Sequence, residues 1–146
     1  MAAFVFFDEW KSTHSTTANL STDTFKFFLT NTAPNVATHT VKADFTPMTT
    51  NLVAAEVTIT QSWAETGAGT GIWRFSASAD PVWTSTTGTT GSFRYVVLYD
   101  DTLTSPGTDP VVGYFDYGSS TTLDGAAAET FTLNLDANFE IFTLDG

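Results

Sequence analysis

The sequence predicts an all-β fold, a single-domain antiparallel β-sandwich of jelly-roll type spanning residues 1–146. Three observations carry this. The 146-residue chain holds 29 Thr and 13 Phe, while charged residues are only 14%; β-branched and aromatic side chains suit a pleated surface, and strong helix formers are scarce. Apolar and polar residues alternate with period two in several short segments, the pattern of a strand with one buried and one wet face. Turn residues recur between these segments, and no linker or fixed-period repeat divides the chain.

The segments follow in order. Phe4–Phe7 is an apolar run near the chain start, open to two readings: an inner edge strand, or part of an extended arm over residues 1–12 that grips a partner. Asp8 is placed to cap a turn through Glu9–Ser12, and Thr46-Pro47 to open a short helix before MTTNLVAAE. Strands are expected at Asp23–Asn31, Glu56–Ser62, Ile72–Ala79, Glu129–Leu135 and Phe139–Leu144. The loops Ala64–Gly71 (AETGAGTG) and Thr84–Ser92 (TSTTGTTGS) separate them. Alternation places Phe25, Phe27, Val57, Ile59, Phe75, Val97, Phe131 and Leu133 in the core.

Two strands, Ser92–Tyr99 (SFRYVVLY) and Val111–Tyr117 (VVGYFDY), are apolar on both faces. Such a strand is either central and covered on both sides or covered by another subunit, and because a 146-residue chain has little to spare for a second cover, another copy of the chain is the expected one. That makes Phe93, Tyr95, Tyr99, Tyr114 and Tyr117 the candidate interface of a homotrimer or dimer. The connection Asp100–Pro110 (DDTLTSPGTDP) reads as a long exposed hairpin loop.

Charge narrows the function classes. Sixteen acidic against five basic residues give a net charge of −11. Phosphate contacts require clustered Lys and Arg, so neither nucleic acid nor an anionic membrane surface is an expected partner. With no cysteine there is no disulfide, thiolate metal site or thiol nucleophile. The start, MAAFVFFDEWK, lacks a basic region and its apolar run is too short for a signal peptide or a membrane span.

No enzyme motif emerges. His14 and His39 lie in Ser/Thr-rich stretches and read as exposed loop residues without a nucleophile elbow nearby. Asp100, Asp101 and Asp109, with Asp116 beyond, form either a solvated acidic loop or a calcium site; their spacing departs from the calcium-loop pattern. A pair of glycosidase carboxylates would need a cleft to hold both. Gly67, Gly69 and Gly71 lack the helix and lysine of a phosphate cradle and read as a turn. No cofactor is implied. Trp10, Trp63, Trp73 and Trp83 are core or rim residues, or a stacking face for sugars if exposed together.

Three stretches carry a family resemblance: DTFKFFLTNTAP (Asp23–Pro34), FRYVVLYDDTLTSPGTDPVVGYFDYGSS (Phe93–Ser120) and ETFTLNLDANFEIFTL (Glu129–Leu144). In the same order, and over a little more than a third of the chain, they resemble small structural proteins of tailed bacteriophages. The resemblance implies a non-enzymatic virion component, most similar to a capsid decoration or cement protein. Such a protein is made in the host cytoplasm, sits on the outer head surface as a dimer or trimer, and clamps subunits of the major capsid protein. Under that reading Phe4, Val5, Phe6 and Phe7 form a capsid-binding arm. The alternatives are a tail or fibre module that binds host-surface glycans and a small jelly-roll glycoside hydrolase.

Overall fold

The computed structural model describes residues 3–145 as an antiparallel β-sandwich. Its strands are β1 (Val5–Phe6), β2 (Phe25–Thr30), β3 (Glu56–Thr58), β4 (Gln61–Glu65), β5 (Ile72–Ala77), β6 (Val82–Thr84), β7 (Phe93–Asp100), β8 (Val111–Thr121), β9 (Thr130–Thr132) and β10 (Glu140–Asp145). A five-stranded sheet has the order β1-β8-β7-β2-β3, a three-stranded sheet β10-β5-β4, and β6 and β9 form a separate ribbon. One short helix, α1 (Asp8–Ser12), follows β1.

Register shows how the layers meet. Phe27 lies opposite Leu98 and Val57, while Leu29 lies opposite Val96, which in turn faces Phe115. Directly paired residues share a face, so these side chains form one apolar surface. It packs on the three-stranded sheet through aromatic rings, with Phe25 against Phe75 at 5.0 Å and Phe6 against Phe142 at 4.8 Å. Seven of the eight expected core residues are buried; Val57 is half-buried and packs against the cluster.

The opposite face of the five-stranded sheet is also apolar at Phe28, Val97 and Tyr99. Its cover comes from the chain itself. Phe45 packs on Phe28 at 5.7 Å and on Phe7 at 5.8 Å, and Met48 donates its N–H to Leu29 O. The expected second subunit is therefore not what buries Phe93 and Tyr99, both fully enclosed within one chain. These two residues leave the candidate oligomer interface. Tyr95 and Tyr114 remain half-buried, edge to face at 6.0 Å, and Tyr117 is 47% exposed.

Several boundaries differ from those expected. Glu56–Ser62 is not one strand: β3 ends at Thr58, the chain crosses between sheets at buried Ile59, and β4 begins at Gln61. Ile59 N–H bonds to Phe25 O in one sheet, and Thr60 O accepts from Ser78 N–H beside the other. Within Glu129–Leu135 only Thr130–Thr132 is a strand; Leu133 and Leu135 are instead tied through their N–H groups to Pro81 O and to the Asp80 carboxylate. No helix follows Thr46-Pro47. Pro47 bridges Thr30 and Leu52 bridges Ser85, so this stretch is held by extended-chain contacts. The Asp8–Ser12 turn does form; Phe7 occupies its N-cap, and Asp8 sits in the first turn paired with Lys11 at 2.9 Å.

The N-terminal arm is docked over its described part, residues 3–12. Val5 and Phe6 pair with Tyr114 and Gly113, Phe7 donates its N–H to Val112 O, and Phe7 is fully buried. Residues 1 and 2 lie outside the described residues. The arrangement demands glycine at 113, where an added Cβ would lie 2.5 Å from the Phe4 ring and from Val5 O. Gly113→Ala is expected to displace β1 and lower stability by about 1–3 kcal/mol, the range for overpacking, read as a shifted urea midpoint. Phe131 packs on Trp83, Phe93 and Tyr117. Phe131→Ala is expected to cost about 3–5 kcal/mol in the same measurement.

Candidate functional site

Most of the charge serves local structure. All five basic side chains are in ion pairs: Lys11–Asp8, Lys26–Asp101, Lys42–Glu56, Arg74–Glu140 and Arg94–Asp116. Arg94 grips Asp116 with two bonds of 2.8 and 2.9 Å. Eleven of the sixteen carboxylates have no such partner among the described residues. Eight of those eleven accept backbone N–H groups instead, at turns and strand ends: Asp23, Asp44, Glu65, Asp80, Asp100, Asp124, Glu129 and Asp136. A carboxylate that accepts several backbone N–H groups holds a turn more firmly than a neutral side chain does.

The loop after β7 is organised this way. Asp100 is buried, with one oxygen accepting from Thr102 and Leu103 N–H and the other unpartnered. Asp101 turns back to Lys26 at 2.8 Å. Asp109 adopts φ 53° and uses its backbone to bind Lys42 and Leu103. Among the described residues no group of three or more His, Cys, Asp or Glu is placed to hold a metal ion. Tyr99, Lys42, Glu56 and Asp101 form a polar cluster beside this loop, in which the Tyr99 hydroxyl donates to Glu56 at 2.8 Å.

Each histidine is engaged in local packing. His14 is buried instead of exposed, stacked on Trp10, and burial lowers its pKa while Glu9 opposes the shift. His39 is half-buried, accepts from Asn35 N–H at 3.3 Å and packs on Phe45. The glycines of AETGAGTG make a turn: Gly69 and Gly71 have φ of 77° and 71°, a region that side chains disfavour. Their N–H groups bind the Glu65 carboxylate at 3.1 and 2.7 Å.

The exposed large apolar side chains are both aliphatic and aromatic, with Trp73 and Leu144 among them. Of the four tryptophans, Trp10 and Trp83 are buried, Trp63 is half-buried and Trp73 is 41% exposed. Trp63 and Trp73 stack at 5.5 Å with 27° between their planes. Leu144 is paired with Trp73 in register and is 44% exposed. Beyond Leu144 a groove of about 220 Å³ is lined by Phe6, Trp10, Lys11, Ser15 and Leu144. Trp63, Trp73, Leu144 and Phe6 therefore form one apolar strip at the end of the sandwich. A larger cleft of about 440 Å³ between Asn31–Thr32 and Thr46–Thr50 is lined by hydroxyl, amide and apolar groups without a charge. Of the residues expected to bind a partner, the strip contains Phe6, while Phe4 supports it from within by stacking on Phe142. Val5 is 39% exposed on the other side of β1, and Phe7 is inaccessible. Leu144 was not expected, because alternation alone places it inside.

Compared with protein-family models, with curated proteins and with solved structures, the chain matches none.

The carboxylates give stability a characteristic dependence on pH. Glu65 is held below the usual carboxylate range by the Gly71 and Gly69 N–H groups, Asp116 by Arg94, and Asp136 by the Glu140 and Asn138 N–H groups. Each stabilises the fold above its unfolded pKa, and that contribution is lost as pH falls through the folded one. Asp100 is opposite. Burial raises it to about 6, the Thr102 and Leu103 N–H groups oppose the rise, and neighbouring Asp23 adds to it. A raised carboxyl favours the folded state at low pH and loses that contribution as pH climbs through the folded value. The melting temperature is expected to peak near pH 4 to 5, falling on both sides. Asp100→Asn, which keeps an acceptor for Thr102 and adds a donor for Asp23, is expected to flatten the limb above the peak in thermal scans from pH 3 to 8.

Proposed function

We propose that the protein is a non-enzymatic component of a bacteriophage virion, a capsid decoration protein that docks on the outer head through the apolar strip of Trp63, Trp73, Leu144 and Phe6. The strip is the single observation that carries the docking. Exposed aromatic and aliphatic side chains next to one another mark surfaces that bind other proteins. The β-sandwich supports the reading as a rigid platform. The resemblance of Phe93–Ser120 supplies the virion, since this stretch is the central β7–β8 hairpin of the larger sheet. The partner is the major capsid protein. Phe4–Phe7 contributes through Phe6 and through the shape that β1 confers on the edge, not as a free arm. Self-association, as a trimer or a dimer, then runs through Tyr95 and Tyr114, which share a face of the larger sheet, while Tyr117 leaves the other face and packs on Phe131.

A second reading, a tail or fibre module for host glycans, is favoured by the stacked and exposed indole of Trp73, because indoles also stack on sugar rings. Purified particles separate the two. A decoration protein is expected at hundreds of copies with density on the outer head in electron microscopy. A handful of copies at the tail favours the glycan module, and absence from particles overturns both. Light scattering at high salt, which screens repulsion between copies of charge −11, is expected to give a mass two or three times that of the chain.

A further inference from the structure

At the Trp73 end of the strip, the exposed indole meets a fixed negative charge. Glu65 lies directly opposite Trp73 in the β4–β5 register, so both side chains leave the same face of the sheet. Trp63 backs the indole at 5.5 Å and limits its motion. The Glu65 carboxylate is held in place by two glycine N–H groups, using one acceptor position on each oxygen; a carboxylate has about four such positions, so both oxygens can accept more. Among the described residues no cation is paired with the Glu65 carboxylate. All five basic side chains are engaged elsewhere, and Arg74, next in sequence to Trp73, projects from the opposite face to Glu140 at 3.1 Å. An immobilised indole face, a neighbouring carboxylate and an unbalanced negative charge are together complementary to a planar cation, which prefers the face of Trp above other aromatic rings.

From this juxtaposition we infer that Trp73 and Glu65 form a receptor for an arginine side chain presented by a protein partner, with the guanidinium over the indole and bonded to the carboxylate. The inference rests on the docking reading only for which protein supplies the arginine. Arginine fits better than lysine because its flat guanidinium can stack on the ring and bond to Glu65 at once. The rest of the strip gives the partner's neighbouring apolar side chains a place beside Leu144 and Phe6. A neutral sugar would use the ring but would gain nothing from the net charge of −11.

The probe is the peptide acetyl-Gly-Arg-Gly-amide, with its citrulline counterpart as a neutral control of nearly the same shape. Each is titrated into nitrogen-15-labelled protein at low salt, and the Trp73 indole N–H signal is followed. The arginine peptide is expected to move that signal. The citrulline peptide should bind about tenfold more weakly, since an exposed cation–π contact and an exposed ion pair each contribute a factor of about two to five. Glu65→Gln should weaken the arginine peptide about two- to fivefold, and 0.5 M salt should do the same. Trp73→Leu keeps apolar packing but removes the π face, and should abolish the preference over citrulline in the remaining strip signals. If that variant does not fold, Trp73→Phe and the wild-type comparison decide. Equal binding of the two peptides, no movement of the indole signal, or a larger movement with cellotriose than with the arginine peptide would overturn the inference. Particle composition tests the docking reading separately, so either can fail while the other stands.

Discussion

The double-sided apolar character of β2, β7 and β8 is the constraint on which the rest of the structure depends. Phe27, Leu98 and Phe115 point one way, while Phe28, Val97 and Tyr99 point the other, and all are buried. A sheet of this kind cannot leave either face to water, because each large side chain left exposed forgoes about 1.5–3 kcal/mol. The three-stranded sheet covers the first face. The second is covered by Phe45 and Phe7, drawn from a long connection with little regular structure and from the chain start. That connection is held by single bridges and by its own turns, such as the Asp44 carboxylate binding Thr40 and Val41 N–H. An irregular segment can thus act as a layer when its few large apolar residues fall on the right places.

Acidity follows from loops. A fold with ten short strands has many turns, and each exposes backbone N–H groups that need acceptors. This chain meets much of that need with Asp and Glu carboxylates. The surplus negative charge is therefore first a consequence of how the turns are closed, and its effect on partners comes second. Such a charge repels polyanions and other copies of the chain and attracts basic groups. Asp100 departs from the pattern because its carboxyl is buried beside a second one, so its charge is a burden instead of a clasp.

The exposed aromatic strip arises from unequal cover. Along β5 exposure rises from buried Ala77 and Phe75 toward Trp73 and Ile72, and along β10 it rises from Ile141 and Phe142 toward Leu144. Both gradients run to the same end, where the larger sheet no longer covers the smaller one. Residues that alternation assigns to the interior emerge there as surface. The proposed docking face is thus the inner face of a sheet that outruns its cover.

Period-two alternation was enough to place β2, β5 and most of the core, and continuous apolar runs placed β7 and β8, because each side chain's face is set within its own strand. The glycine turn over Gly69 and Gly71 was equally legible, since only positive φ explains glycine at those positions without a phosphate site. The alternation could not show that Glu56–Ser62 changes sheets at Ile59, because a strand looks the same on either side of such a crossing. Neither could it show that His14, in a Ser/Thr-rich stretch, is buried, that Phe45 closes the outer face, or that Trp73 and Leu144 stand in solvent. Those outcomes depend on what lies across from a residue, and for Phe28 the covering ring comes from Phe45 and for Phe142 from Phe4. A sequence records which way a side chain points, but its burial is settled by residues distant in the chain that the fold brings opposite it.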